Sequence, residues 1–128
     1  MIVDSSALIA IIKNESEADR CKRQLLAADS LRLSAANLVE AFMVVDRSSD
    51  PLASEAFEQL LEDVIIQIEP VTVAQARLAR TAYQRFGKGR HPAKLNFGDC
   101  FAYALTRETG EPLLFVGNDF TQTDIGVA

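Results

Sequence analysis

The chain alternates between short apolar runs and longer stretches in which apolar residues recur every three or four positions. Met1-Ile2-Val3 reads as a short buried strand, and Ser5-Ser6-Ala7-Leu8-Ile9-Ala10-Ile11-Ile12 follows it without a linker. Serine at a helix entry satisfies free backbone N–H groups, so the pattern predicts a direct turn from strand into helix. A second helix is predicted from residue 15 or 16 to about 28, with Ala18, Cys21, Leu25 and Ala28 on one face. Leu31-Arg32-Leu33-Ser34 alternates as a strand, and residues 35 to about 47 return to helix. Pro51, tolerated in a first turn, opens a helix to about residue 63. Ile65-Ile66-Gln67-Ile68 is a β-branched strand closed by Pro70.

The next helix spans about residues 72–86 and sets Ala76, Ala79, Tyr83 and Phe86 along one side. Gly87-Lys88-Gly89-Arg90-His91-Pro92 is the plainest loop in the chain. Gly98 or Asp99 starts a helix that Gly110 stops, and Leu113-Leu114-Phe115-Val116 is a last buried strand before an irregular tail. Strand–helix alternation with apolar strands predicts an α/β fold, a parallel sheet covered by helices. Ligands in such sheets gather beyond the carboxyl ends of the strands.

Four carboxylates interrupt this apolar pattern. Asp4 ends the first strand, Glu40 sits inside Leu38-Val39-Glu40-Ala41-Phe42, Asp99 stands in the first turn of a helix, and Asp119 follows the last strand. Carboxylates are rarely buried unless they are paired or bind a metal, because stripping water from a charge is expensive. Each has a simpler reading as well. Asp99 complements a helix dipole, Asp4 caps a helix, and Asn118-Asp119 makes a turn. Glu40 resists that reading best, since its neighbours at helical spacing are Ala36, Asn37, Met43 and Val44. Asp19, Glu58, Glu62 and Asp63 lie on polar helix faces and read as surface charge. Asp124 is close enough to Asp119 in sequence to join the group or brace it.

Composition narrows the class. The 128 residues form one domain, 1–128, and 48% hydrophobic content argues against disorder. No apolar run approaches the ~20 residues needed to span a membrane, and the N-terminus lacks the basic leader of a secretion signal. Cys21 and Cys100 are too few for a disulfide framework and read as reduced thiols of a cytoplasmic protein. A net charge of −5 argues against broad electrostatic binding of nucleic acid, but setting the four candidate acids aside takes −5 to −1.

The blocks Met1-Ile2-Val3-Asp4-Ser5-Ser6-Ala7-Leu8, Asn37-Leu38-Val39-Glu40, Leu95-Asn96-Phe97-Gly98-Asp99-Cys100-Phe101-Ala102-Tyr103-Ala104 and Leu114-Phe115-Val116-Gly117-Asn118-Asp119-Phe120 resemble the signature blocks of PIN-domain nucleases. Within these the chain is similar to VapC-type toxins of bacterial type II toxin–antitoxin pairs. The resemblance spans essentially the full length, keeps the four acids in family order and departs at none of them. It implies an α/β/α sandwich around a parallel sheet and a metal-dependent endoribonuclease that cleaves RNA phosphodiesters with metal-activated water. Asp4 and Asp99 are then the most direct ligands, with Glu40 and Asp119 completing the site or positioning water. The expected cofactor is Mg²⁺, or Mn²⁺, both of which favour hard oxygen ligands. The resemblance also implies a VapB-type antitoxin, bound on a homodimer of this chain, whose C-terminal segment lies across the active site. The apolar residues Leu8, Ile9, Ile11, Ile12, Leu25 and Leu26 are candidates to receive it, about half of them being expected in the core.

RNA must still approach an acidic site. Arg85, Lys88, Arg90 and Lys94 place four formal positive charges, with His91, on the loop before Asp99. Lys88, Arg90 and His91 are the candidate RNA contacts, while Tyr83 and Phe86 read as core aromatics. Ser6 either orients Asp4 or a phosphate or acts as a plain cap, and the cap is favoured. Gly87-Lys88-Gly89 lacks the spacing of a phosphate-binding P-loop. Two other classes compete. A phospho-acceptor receiver domain also gathers acids around Mg²⁺, but it normally has two adjacent acids after its first strand and a Lys after the last. A pure interaction module would use the acids only to hold a partner's arginine.

Overall fold

In the computed structural model, which describes residues 1–128, four parallel strands lie in the order β3-β2-β1-β4. The elements run β1 (Ile2–Val3), α1 (Ser5–Ile12), α2 (Ala18–Ala27), β2 (Leu31–Ser34), α3 (Ala35–Arg47), α4 (Pro51–Asp63), β3 (Ile66–Glu69), α5 (Val73–Phe86), α6 (Phe97–Thr109) and β4 (Leu113–Leu114). Successive side chains in a strand point to opposite faces, and here both faces are covered. Ile2 and Leu113 enter one core with Ala79, Ala82, Phe86, Leu95 and Tyr103, beneath α5 and α6. Val3 and Leu114 enter the other with Leu8, Cys21, Leu33, Ala41 and Phe57, beneath α1 to α4. That two-sided burial is why the central strands are apolar throughout, and it makes the fold an α/β/α sandwich.

The turns at the carboxyl ends of β1 and β2 are built alike. Asp4 and Ser34 are N-caps, accepting from the N–H groups of Ser6 and Ala36 at 3.0 and 3.3 Å. Each strand therefore passes straight into a helix, which brings α1 and α3 to the same edge of the sheet.

Four boundaries or faces differ from the sequence reading. The third strand is Ile66–Glu69 because Ser34 pairs with Glu69 and Arg32 holds Glu69 at 2.8 Å, leaving Ile65 outside the ladder and exposed. The second helix starts only at Ala18, after a reversal in which the Glu15 N–H returns to the Ala10 carbonyl. β4 stops at Leu114, since the Phe115 carbonyl accepts from Arg20 and the Val116 N–H donates to Ser6 Oγ. Helix α5 buries Gln75, Ala79, Ala82 and Phe86, so Ala76 and Tyr83 face outward. Burial of a polar Gln75 is tolerated because its side chain donates to Glu108 at 2.7 Å.

Candidate active site

Asp4 is 3% exposed at the end of β1. Its Oδ2 accepts from the Ser6 N–H at 3.0 Å and from the Ser6 hydroxyl at 2.5 Å. Ser6 Oγ in turn accepts from the Val116 N–H at 3.0 Å, tying the carboxylate to the end of β4. The cap of α1 is therefore Asp4 itself, and Ser6 orients it, contrary to the favoured reading of Ser6 as the cap. Asp4 Oδ1 is buried and has no hydrogen-bond partner. Burial pushes the Asp4 carboxyl up to about 6, against the lowering bonds from Ser6, and the charges of Glu40 and Asp119 push the same way.

Asp99 is supplied by the first turn of α6. It closes a capping box in which Asn96 Oδ1 accepts from the Asp99 N–H and Asp99 Oδ2 accepts from the Asn96 N–H, both at 2.9 Å. Burial raises its carboxyl to about 7, opposed by the Asn96 bond and reinforced by the charges of Asp4, Asp119 and Glu40. The simpler cap reading of Asp99 is thus present in the structure, and so is its neighbourhood of acids.

Glu40 is half-buried on α3, its Oε1 accepting from the Ser5 hydroxyl. Its carboxylate lies against Gly98, where a Cβ would overlap it. Asp119 is exposed on the turn after β4, which Gly117 opens with a positive φ of 101°. The structure thus gathers Asp4, Glu40, Asp99 and Asp119 into one electrostatic neighbourhood at the carboxyl ends of the strands.

Asp124 does not join them. Its Oδ1 accepts from the Tyr103 hydroxyl at 2.8 Å and its Oδ2 from Arg85 at 2.9 Å, with Arg107 at 3.9 Å. Burial opposes ionisation of Asp124, but the bonds from Tyr103 and Arg85 outweigh it and lower the pKa. Its proximity to Asp119 in sequence is undone by the tail, which carries Asp124 to the far end of α6. Arg85 is accordingly a structural cation rather than a free charge of the basic loop.

Lys88 and Arg90 are exposed on that loop, with the Arg90 guanidinium 5.0 Å from the Tyr83 ring centre. Tyr83 is 45% exposed and so is not the core aromatic expected, whereas Phe86 is. His91 is half-buried, edge-on to Phe86, and its Nδ1 accepts from the Ala93 N–H at 3.0 Å. Among the apolar residues of α1 and α2, Leu8 and Leu25 are buried and Leu26 is exposed. Exposed apolar side chains also lie at Val39 and Met43 of α3 and Phe97 of α6, which line a cleft of about 420 Å³ beside Glu40 and Gly98.

Two residues of the site escaped the sequence reading as functional. Ser5 holds Glu40, and Asn37, fully buried, donates to the Gly98 carbonyl at 2.9 Å. The signals for Asn37 were its place one turn before Glu40 and its position at the head of the block Asn37-Leu38-Val39-Glu40.

The donor set suits a hard divalent cation. Asp4 offers a buried oxygen with no donor, and Asp4 and Asp99 are both held reluctantly ionised by burial and by negative neighbours. No three acidic, His or Cys side chains converge as a ready-made cage. Mg²⁺ is usually held by one or two carboxylates with water filling the remaining positions, so two carboxylates fit it.

This arrangement of a four-stranded parallel sheet with acids at the carboxyl ends of its strands matches a known family. The PIN domain model covers residues 1–126, and the chain belongs to the PIN-domain family. It is 51% identical over 126 residues to the ribonuclease VapC28 of Mycobacterium tuberculosis, covering 98% of this chain and 95% of that protein. Among solved structures it resembles VapC20 of M. tuberculosis, described as a sarcin–ricin loop cleaving toxin. The TM-score is 0.79 at 19% identity, over 99% of this chain and 97% of that one. A toxin–antitoxin complex from Klebsiella pneumoniae gives a TM-score of 0.73 at 16% identity, over 99% and 95%. These last two likenesses concern the fold. No helix is long and apolar enough to cross a membrane.

Proposed function

We propose that this chain is a metal-dependent endoribonuclease and the toxin of a type II toxin–antitoxin pair. The observation that carries the reading is the unpartnered, buried Oδ1 of Asp4 beside a second buried carboxylate of raised pKa. Two acids in that state suit a hard cation, and Asp4 and Asp99 are the residues that would hold Mg²⁺ or Mn²⁺. When bound, such an ion activates water and offsets charge on a phosphodiester. Ser6 fixes the direction of Asp4 through its two bonds, and the capping box fixes Asp99. Glu40 and Asp119 border the same space, where they orient water and hold the local potential negative. Lys88 and Arg90, with no carboxylate partner, supply phosphate contacts for the RNA.

The relatives' names motivate the substrate class and the antitoxin. A negative site of this kind accepts a cationic side chain in place of a metal, which is how a VapB-type partner would silence it. The test is direct. Purified protein with Mg²⁺ or Mn²⁺ is expected to cut RNA endonucleolytically, with activity lost in excess chelator and restored by metal. Undiminished cleavage in chelator would refute the metal mechanism, and no cleavage under any metal would refute the nuclease reading.

A further inference from the structure

Asn37 and Gly98 lie 61 positions apart in the chain and meet beneath the acidic site. Asn37 is 0% exposed on α3, and its Nδ2 donates to the Gly98 carbonyl at 2.9 Å. The orientation of the amide follows from chemistry, because the opposite one would set two acceptors face to face. Its Oδ1 is then buried with no donor. An unpaired buried acceptor is unfavourable, and an aliphatic side chain would fill the same volume without it. The bond to Gly98 is what an aliphatic residue could not supply.

Gly98 is the second residue of α6 and the neighbour of Asp99. Its φ is not positive, so its backbone does not demand glycine, and glycine in a helix is disfavoured relative to alanine. The close approach of Glu40 does demand it. A Cβ at position 98 would overlap Cδ, Oε1 and Oε2 of Glu40, which rest on the bare Cα. The Ser5 hydroxyl holds the same carboxylate from the α1 side.

We propose that Gly98 is the seat of the Glu40 carboxylate and that Asn37 fixes this seat, making both of them positioning residues for the acidic site. Neither touches substrate. They act by holding Glu40 on α3 and Asp99 on α6 in one fixed relation. What the site does with that relation rests on the nuclease reading above.

The obstructing atoms at position 98 all belong to the far end of one flexible side chain, so Gly98→Ala should fold and move only the carboxylate. Asn37→Leu keeps the volume and removes the donor. Without metal, nuclear Overhauser contacts between the α-protons at position 98 and the Glu40 methylenes should be present in the wild type and lost or weakened in both variants. Mn²⁺ affinity should fall about 10-fold and kcat by a similar factor, with KM for RNA unchanged and the melting temperature of Gly98→Ala not lowered. If Asn37→Leu does not fold, Gly98→Ala decides alone. Retention of both the contacts and wild-type Mn²⁺ affinity in Gly98→Ala would overturn the proposal. If the wild type neither binds Mn²⁺ nor cleaves RNA, the nuclease reading falls, while the metal-free contacts still decide whether the seat exists.

Discussion

Asp4 at the end of β1 and Asp99 in the first turn of α6 face one acidic site, and the charge of Asp4 helps to keep the proton on Asp99. Burial raises the carboxyl of Asp4 to about 6 and that of Asp99 to about 7, and the charges of Glu40 and Asp119 push both the same way. Near neutrality both are therefore reluctant to ionise, a state that a divalent cation relieves.

Stability without metal should carry this signature. Below about pH 3 both groups are protonated whether the chain is folded or not, and they contribute nothing. As pH rises from about 3 toward 8 the unfolded chain releases protons that the folded chain retains longer, so folding loses stability. Above about pH 8 the penalty is complete. Asp4→Asn and Asp99→Asn remove it, and each should be ~1–3 kcal/mol more stable than wild type at pH 8, with the gap closing toward pH 3. Urea unfolding in chelator at several pH values measures this, and a gap independent of pH would contradict it.

The same substitutions should have the opposite effect on activity. Asparagine keeps the shape and an acceptor oxygen but removes the charge, so each variant should lose at least ~100-fold in cleavage rate. Ser6→Ala releases Asp4 Oδ2 from its side-chain bond and should lose about 10-fold, since groups that orient ligands typically cost 10- to 100-fold. Initial rates at saturating Mg²⁺ test both, and full activity in Asp4→Asn and Asp99→Asn would remove the acids from the mechanism.

Most of this arrangement is legible in the sequence because the strands are buried on both faces, which makes Ile2-Val3 and Leu113-Leu114 continuous apolar runs. The four acids stand out for the same reason, as charges against an apolar background. What escaped depends on contacts between distant segments. Gln75 lies on the buried face of α5 because Glu108 accepts from it, and no local pattern announces that pair. Asp124 looked like a neighbour of Asp119, yet Arg85 and Tyr103, both on helices far away in sequence, claim it. Ser5 and Ser6 looked alike as helix-start serines, and only the fold separates the one that holds Glu40 from the one that orients Asp4.

The division among the cations predicts different outcomes for superficially similar changes. Lys88→Ala with Arg90→Ala should weaken RNA binding and lower the log–log salt slope by somewhat under about 1 per lost phosphate contact. Metal affinity should stay near wild type. Arg85→Ala should leave the salt slope unchanged and reduce stability, because its partner is Asp124. Fluorescence titrations of a labelled RNA at several salt concentrations distinguish the two, and an unchanged slope in the double variant would return the loop to ordinary solvated surface.

The antitoxin prediction draws on both charge and shape. Val39, Met43 and Phe97 are exposed beside Glu40, so an apolar helix face docking there would bring its own flanking residues to the acids. An arginine on that helix would meet Asp4, Glu40, Asp99 and Asp119, gaining charge-assisted hydrogen bonds and excluding metal at once. On the toxin reading proposed above, co-expression with the small protein encoded beside it should yield a stable complex on a dimer of this chain, suppress RNA cleavage and relieve growth arrest. Met43→Glu with Phe97→Glu should weaken that complex at least ~10-fold, since each places a charge in an apolar contact and beside existing negative charge. Light scattering gives the stoichiometry, and cleavage assays on the purified complex give the inhibition. A complex that forms yet cleaves RNA at the full rate would show that the partner binds away from the acids.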